Sequence, residues 1–415
     1  MAPQLDNGYV SGAAIADNSK TAVNGHTTKE TEGNQRVPSE HTQSKEPLKF
    51  KGVLEDFEYF DVTPVIGREF KDVDITAWLK SPNSDDLIRD LAITVSQRGV
   101  VFFRAQNNLT DDLQKQLIQR LGELSGKPST SGLHIHPVSN SGREHSSKDD
   151  EISVISSLAA KSTYPGSALD PRTRKQSLKD QWHSDITFEQ APSDFSALRL
   201  TELPKTGGGN VHILPSLPPC PATKPKTPLT IPPDTLWASG YELFDRISPP
   251  YQKFLEGLTA TYAQPLFHKA ASTQNFSLHP GPRGSPLNTG TSLEATHPVI
   301  RTNPVTGWKS VFAVGHHVSH INELTADESK GLLDWFLRLV VENHDLQVRH
   351  KWREVGDLAI WDNRSVYHAA TPDYEGYGER RGHRVVGVGE RPYLDPESNS
   401  RREALAEERI AAERN

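Results

Sequence analysis

The sequence predicts an α+β protein built on a double-sheet jelly roll with helices flanking it. Two observations carry this. The second half of the chain is a run of short β-prone segments separated by turn residues, whereas helical periodicity is confined to a few stretches beside them. The chain is also 415 residues long and 34% hydrophobic, which suits one large elaborated core with polar tails better than two equal domains.

The elements follow in order. Residues 1–46 are rich in Ser, Thr, Asn, Gly and charge without periodicity and are expected to be a disordered polar tail, with the folded domain spanning 47–395. Asp85 to Val95 places apolar residues at helical spacing, Gly99 ends that pattern, and Val100-Val101-Phe102-Phe103 reads as a buried strand. Asp111 to Leu124 is expected to be a second helix, capped by Thr110 and acidic in its first turn. His297 to Thr302 and Lys309 to Val314 flank Asn303-Pro304-Val305-Thr306-Gly307, which has hairpin turn chemistry. A helix from Thr325 to Asn343 comes next. Asp357 to Trp361 and Val366 to Ala370 then read as strands around the polar turn Asp362-Asn363-Arg364, and Arg384 to Val388 as one more. Residues 396–415 form a charged tail that is Ala-rich from Arg401, a solvent-exposed helix without evident chemistry.

Composition excludes several functions. The net charge is −7 with a pI near 6.2, and no long basic stripe is present to neutralise phosphates, so nucleic acid is not expected as a partner. No stretch approaches the roughly 18 apolar residues of a membrane span, and Met1 to Asp6 lacks a basic region leading into an apolar run; a cytoplasmic enzyme is expected. The one cysteine, Cys220, rules out an internal disulfide framework and thiolate metal sites. A bound metal must therefore be held by nitrogen and oxygen.

Trp182-His183-Ser184-Asp185 in mid-chain and Trp361 to His368 near the end supply such donors. A lone His-x-Asp means little, because a chain with 17 His should contain on the order of one by chance. The specificity lies in the order of parts: a second histidine far downstream on a strand, His368, with arginines beyond it. Two imidazoles and a carboxylate on one face of a metal leave three positions open, which suits non-haem Fe(II) binding a 2-oxo acid and O₂. An oxygenase is expected. The far carboxylate of a dicarboxylic 2-oxo acid needs a fixed cation, and arginine can pair with both of its oxygens. Arg380, Arg381 and Arg384 lie close together. Strand alternation puts Arg380 and Arg384 on one face, so that both can enter a pocket, and Arg381 on the other.

These motifs, with Leu133-His134-Ile135-His136-Pro137, Gly207-Gly208, Asp234-Thr235-Leu236-Trp237 and the His297 hairpin, resemble the taurine dioxygenase and 2,4-dichlorophenoxyacetate dioxygenase family over residues 50–395. Within it the chain is most similar to the fungal alkylsulfonate dioxygenases, including the opening Val62 to Gly67. The resemblance implies a cupin-like double-stranded β-helix enzyme that couples oxidative decarboxylation of 2-oxoglutarate to hydroxylation of a substrate carbon. It implies Fe(II) held by His183, Asp185 and His368. It further implies 2-oxoglutarate held by Thr235 and Arg380, with Arg381 kept as the alternative because the loop after His368 is one residue longer than in the family. The carboxylate at 185 favours hydroxylation over halogenation. His136, Phe188 and Arg384 match substrate residues of the taurine enzymes, implying a small anionic substrate, an organosulfonate oxidised beside sulfur to sulfite and an aldehyde, with succinate and CO₂ as co-products. Ser139 replaces a family tyrosine and Lys179 an asparagine. A lysine beside a substrate amine would repel it, so sulfonates without an amine, or a sulfate ester, are expected rather than taurine.

Two further readings stay open. The same chemistry could act on an aryloxyacetate, xanthine or a biosynthetic acid. Residues 210–233 form a Pro-rich insertion between Gly209 and Asp234, either a surface loop, cheap because closure cost grows slowly with length, or translated intron sequence. If it is real, displacement of Thr235 is expected, and a non-catalytic scaffold is the extreme outcome. Since relatives are often dimers or tetramers, a homo-oligomer is compatible with the resemblance.

Overall fold

The computed structural model describes residues 46–143, 146–164, 179–203, 234–371 and 378–414. The expected polar tail, save its last residue, and the 210–233 insertion with Gly207 and Gly208 lie outside the described residues. Ser44–Asn415 form one compact unit; a second unit, Met1–Gln43, falls wholly outside the description.

The Ser84–Arg98 helix carries Asp85 and Asp86 in its first turn, complementing the helix dipole, and stops where Gly99 takes φ +74°. Glycine is required there for a second reason: an added Cβ would lie 2.6 Å from Val366, on the strand that carries His368. The chain then enters the fully buried Val100–Phe103 strand. The Asp111–Leu124 helix begins as expected, with the Thr110 hydroxyl accepting from Leu113 N, and buries Leu117, Ile118 and Leu121. Each is worth about 1.5–3 kcal/mol relative to exposure.

Seven strands form the largest sheet, in the order Tyr59–Asp61, Arg68–Phe70, Val100–Phe103, Leu358–Asp362, Ser193–Glu202, Arg381–Val388 and Ser153–Ser156. All pairs are antiparallel except Arg68–Phe70 with Val100–Phe103. A three-stranded sheet places Asp234–Ser239 between Gln347–Lys351 and Val366–Ala370. The two sheets share a core of Phe102, Leu198, Trp237, Val348, Trp361 and Val366. The two strands flanking Asp362-Asn363-Arg364 therefore belong to different sheets. Buried Asp362 fixes that crossing by accepting from Ser96 (2.7 Å), Asn303 (2.9 Å) and Arg364 (2.7 and 2.8 Å).

The predicted hairpin pairs Ile300–Thr302 with Lys309–Val311, with Lys309 opposite Thr302. Its second strand is shorter than expected because Phe312 N turns to Val299 O and Val314 N to Phe312 O, leading the chain into Gly315. His297 pairs instead within a third sheet of Thr259–Ala263, Glu294–Pro298 and Val318–Ile321. The Ala326–Glu342 helix opens on a Thr325/Glu328 capping box. The terminal Arg401–Arg414 helix buries none of its residues, although Arg401 donates to Glu242 at 2.7 Å. No described helix is long and apolar enough to cross a membrane. The structure is thus a mixed α/β protein with several sheets.

Candidate metal centre and co-substrate pocket

His183 and His368 meet through an antiparallel bridge: His183 N donates to His368 O at 3.1 Å and His368 N to His183 O at 2.8 Å. This exchange, at the edge of the Val366–Ala370 strand, sets the two rings side by side with centroids 4.3 Å apart. Gly315 makes room behind them, since a Cβ there would come within 2.3 Å of Trp182 O and 2.8 Å of His183 Cα. The His183 Nδ1 hydrogen goes to Gln181 O at 2.8 Å, which leaves Nε2 with a free lone pair. Buried Nδ1 of His368 has no hydrogen-bond partner among the described residues.

Asp185 follows two residues after His183. Its N donates to Asn363 Oδ1 at 3.0 Å, its Oδ2 accepts from Ser196 at 2.9 Å, and its Oδ1 lies 3.8 Å from His368 Nε2. Asn363 is itself locked, accepting from Trp361 Nε1 and donating to Ser193 and Ser196. One potential ligand atom from each of His183, Asp185 and His368 lies within 4.8 Å of the others, and among the described residues only these three form such a group.

The electrostatics suit a cation. Burial pushes the Asp185 carboxyl up, but the Arg384 charge, both imidazoles and the Ser196 hydrogen bond outweigh it and hold the group at about 2. Burial lowers His183 to about 3 and His368 to about 4. Both rings are therefore neutral at physiological pH and the carboxylate is ionised, the protonation states that metal ligation needs. Two neutral nitrogens and one carboxylate oxygen fit non-haem Fe(II).

Thr235 is buried on the Asp234–Ser239 strand, and Arg380 Nη2 donates to its Oγ1 at 3.1 Å. Arg380 is itself buried, just ahead of the Arg381–Val388 strand. Arg381 stays in register opposite Ser156 and Glu202. Arg380 thus reaches Thr235 from just outside the strand, where the alternation of its residues does not apply, and Thr235 sits within the Asp234–Ser239 strand.

Arg384 lies on the inner side of the same strand and donates to Asp185 Oδ1 at 2.5 Å, while its buried Nε has no hydrogen-bond partner among the described residues. His136 is half-buried. Its Nδ1 accepts from Val138 N (3.1 Å) and Ser139 N (2.9 Å), and burial together with the Arg384 charge pushes its pKa well below 6.5. The neutral ring must then carry its proton on Nε2, as a donor. Phe267 joins the expected substrate residues, with ring centroids 5.1 Å from His136 and 5.6 Å from Phe188.

One expectation is corrected. Lys179 does not stand beside a substrate amine; its Nζ pairs with Asp334 at 3.3 Å, on the Ala326–Glu342 helix, and its side chain is 41% exposed. A single turn, Lys179–Gln181, separates it from the histidine, enough to direct it outward. Lys179 then gives no ground for excluding an amine-bearing substrate.

Sequence reasoning missed Ser196, which meets Asp185 from the Ser193–Glu202 strand that follows the Asp185 turn and carries no local motif. It missed His317, which meets Thr187 Oγ1 at 2.9 Å, and Phe267; neither carries a local motif. It also missed the buried clamp in which Arg283 pairs with both oxygens of Glu189 (2.5 and 2.8 Å) while His134 reaches Oε1 at 3.1 Å. That clamp closes the turn after Asp185, where Ile186 holds φ +49°, a strained conformation for a β-branched residue.

Comparison with known proteins decides the family. Residues 58–386 match the taurine catabolism dioxygenase TauD, TfdA family. The chain belongs to that family. It is 54% identical to the alpha-ketoglutarate-dependent dioxygenase btcD of Neocamarosporium betae over 361 residues, covering 87% of this chain and 98% of that protein. It is 29% identical to the alpha-ketoglutarate-dependent sulfonate dioxygenase of Saccharomyces cerevisiae, covering 80% of this chain and 67% of the other. A crystal structure of a taurine dioxygenase from Burkholderia xenovorans superposes with a TM-score of 0.54 at 22% identity, covering 82% of this chain and 92% of that one. The protein is a 2-oxoglutarate-dependent dioxygenase, an enzyme class that uses Fe(II), 2-oxoglutarate and O₂.

Proposed function

We propose that the dioxygenase hydroxylates the carbon next to sulfur of a small organosulfonate, releasing sulfite and an aldehyde with succinate and CO₂. The observation that carries this reading is the pairing of a nearly buried guanidinium, Arg384, at the metal carboxylate with a neutral His136 whose Nε2 hydrogen is free to donate. A tetrahedral anion with several oxygens can take both donors at once. The likeness to the yeast sulfonate dioxygenase supports the same class.

In this reading His183, Asp185 and His368 would hold Fe(II), while Thr235 and Arg380 would hold the far carboxylate of 2-oxoglutarate. Iron and 2-oxoglutarate, once bound, supply together with O₂ the oxidising power for breaking a C–H bond. The chain's own part is placement. Arg384 and His136 fix the anionic head, Phe188 and Phe267 exclude water from one side, and the target carbon is left facing the metal triad. Ser196 holds the Asp185 carboxylate by donating to it, and Asn363 holds the Asp185 backbone by accepting from its N–H. The seven-stranded sheet facing the three-stranded one supports a jelly-roll core with this site between its strand ends.

A second reading has an observation of its own: the 54% identical relative bears no sulfonate in its name. Arg384 and His136 would hold a carboxylate with equal geometry, so another small organic anion is the alternative substrate. Purified enzyme with Fe(II), ascorbate and 2-oxoglutarate, tested on alkyl and aryl sulfonates, sulfate esters and carboxylates, separates the two. Succinate with stoichiometric sulfite from a sulfonate supports desulfonation; succinate formed only with carboxylates discards it.

A further inference from the structure

Two donors converge on the hydroxyl of Thr235. Trp352 Nε1 donates to Oγ1 at 3.0 Å and Arg380 Nη2 donates to the same oxygen at 3.1 Å. A hydroxyl has two acceptor lone pairs and one hydrogen. With both lone pairs engaged, the hydrogen can only be given away, and no acceptor for it lies among the described residues. Thr235 is 3% exposed, so bulk water is not a ready recipient.

We propose that Trp352 is a positioning residue which, with Arg380, fixes Thr235 as an obligate hydrogen-bond donor toward the far carboxylate of 2-oxoglutarate; this rests on the assignment of Thr235 and Arg380 to that carboxylate. A carboxylate only accepts, so a donor whose direction is set in advance, beside a fixed guanidinium, matches it without reorganisation on binding. Freed from Trp352, the hydroxyl could instead turn its hydrogen to other orientations, or present a lone pair to the carboxylate.

The fold holds Trp352 for this task. It is fully buried and comes directly after the Gln347–Lys351 strand, whose register sets His350 opposite Thr235. His350 meets the indole edge-on, at 4.9 Å and 87°, and is itself stacked on Phe102 at 3.9 Å and 10°. The guanidinium carbon of Arg380 lies 5.9 Å from the indole centroid, so Trp352 touches both members of the clamp. A buried indole N–H needs an acceptor in any case; the proposal is that this acceptor was placed for the co-substrate.

The test is a double-mutant cycle of Trp352→Phe and Thr235→Val in the full-length enzyme. It is read by 2-oxoglutarate KM and by anaerobic titration of the visible charge-transfer band of the Fe(II) enzyme with 2-oxoglutarate. Trp352→Phe should weaken 2-oxoglutarate binding about three- to tenfold with kcat unchanged, the worth of one neutral hydrogen bond. In the Thr235→Val background it should add less than about twofold. An equal effect in both backgrounds marks Trp352 as a packing residue and overturns the proposal, as does no effect in the wild type while Thr235→Val weakens binding. If Thr235→Val itself leaves binding unchanged, the assignment of Thr235 fails and the proposal with it. Should Trp352→Phe not fold, benzothienylalanine at position 352 keeps the ring volume and removes only the N–H donor.

Discussion

Arg384 donates to Asp185 across 2.5 Å, so the cation assigned to the substrate is also the counter-ion of the carboxylate proposed to hold the metal. The two side chains are 13% and 3% exposed, a setting in which removing one partner leaves an uncompensated buried charge. Arg384→Gln should therefore lower the melting temperature of the metal-free protein by about 5 °C or more. Added Mn(II) or Fe(II) should recover more stability in the variant than in the wild type, because the metal replaces the missing positive charge. Its substrate KM should rise at least about tenfold, with the 2-oxoglutarate KM and Fe(II) affinity not weakened. Paired differential scanning fluorimetry and steady-state kinetics check this, and a loss of Fe(II) affinity would show that Arg384 serves the metal rather than the substrate.

Asn363 and Ser196 hold Asp185 without touching any ligand themselves. Asn363→Ala or Ser196→Ala should cost about 10- to 100-fold in Fe(II) affinity, the usual effect of losing a group that orients a ligand. Competition against a calibrated chelator measures this directly. An unchanged affinity in both variants would mean that Asp185 needs no support from the Ser193–Glu202 strand.

Arg380 and Arg381 are adjacent, yet only Arg380 reaches Thr235. Arg380→Lys should raise the 2-oxoglutarate KM by about 10- to 100-fold, since a point charge cannot reproduce the planar fork. Arg381→Ala should change it less than about threefold. The reverse pattern would transfer the role to Arg381.

Acid should loosen the clamp behind the metal turn. Burial pushes Glu189 up, but hydrogen bonds from Arg283 and His134 and their charges reverse this and leave it below its ordinary 4.5. The unfolded chain then binds the proton more readily than the folded one. The pair's contribution is complete above pH 4.5 and is lost as pH falls through the lower folded value. Wild-type melting temperature should thus drop more steeply below pH 4.5 than that of Glu189→Gln, which has no carboxyl to titrate. Parallel slopes from pH 6 to 3.5 would contradict the role of Glu189.

Much of this was legible in the sequence where a local signal exists. Thr110 with Asp111 and Asp112 marks its helix start because capping and the dipole act within one turn. Arg380 lies one residue ahead of the Arg381–Val388 strand, so the alternation read from the sequence does not account for its reach to Thr235. Ser196 was not legible, since its meeting with Asp185 depends on how the chain turns back between residue 185 and the Ser193–Glu202 strand, which no local motif announces. Phe267 approaches His136 from the distant Pro265–Gln274 helix. Lys179 was misread because motif spacing gives a residue's position along the chain and not the direction of its side chain, which the ion pair with Asp334 turns away.

We assign one Fe(II) site to His183, Asp185 and His368, beside the Thr235–Arg380 clamp. The most direct measurement is anaerobic addition of Fe(II) and 2-oxoglutarate to wild-type, Asp185→Ala and Arg380→Met proteins, followed through the visible charge-transfer band of chelated 2-oxoglutarate. The band should saturate at one equivalent in the wild type, be lost or require far more Fe(II) in Asp185→Ala, and require far more 2-oxoglutarate in Arg380→Met. A band of wild-type strength at the same concentrations in Asp185→Ala would contradict the site.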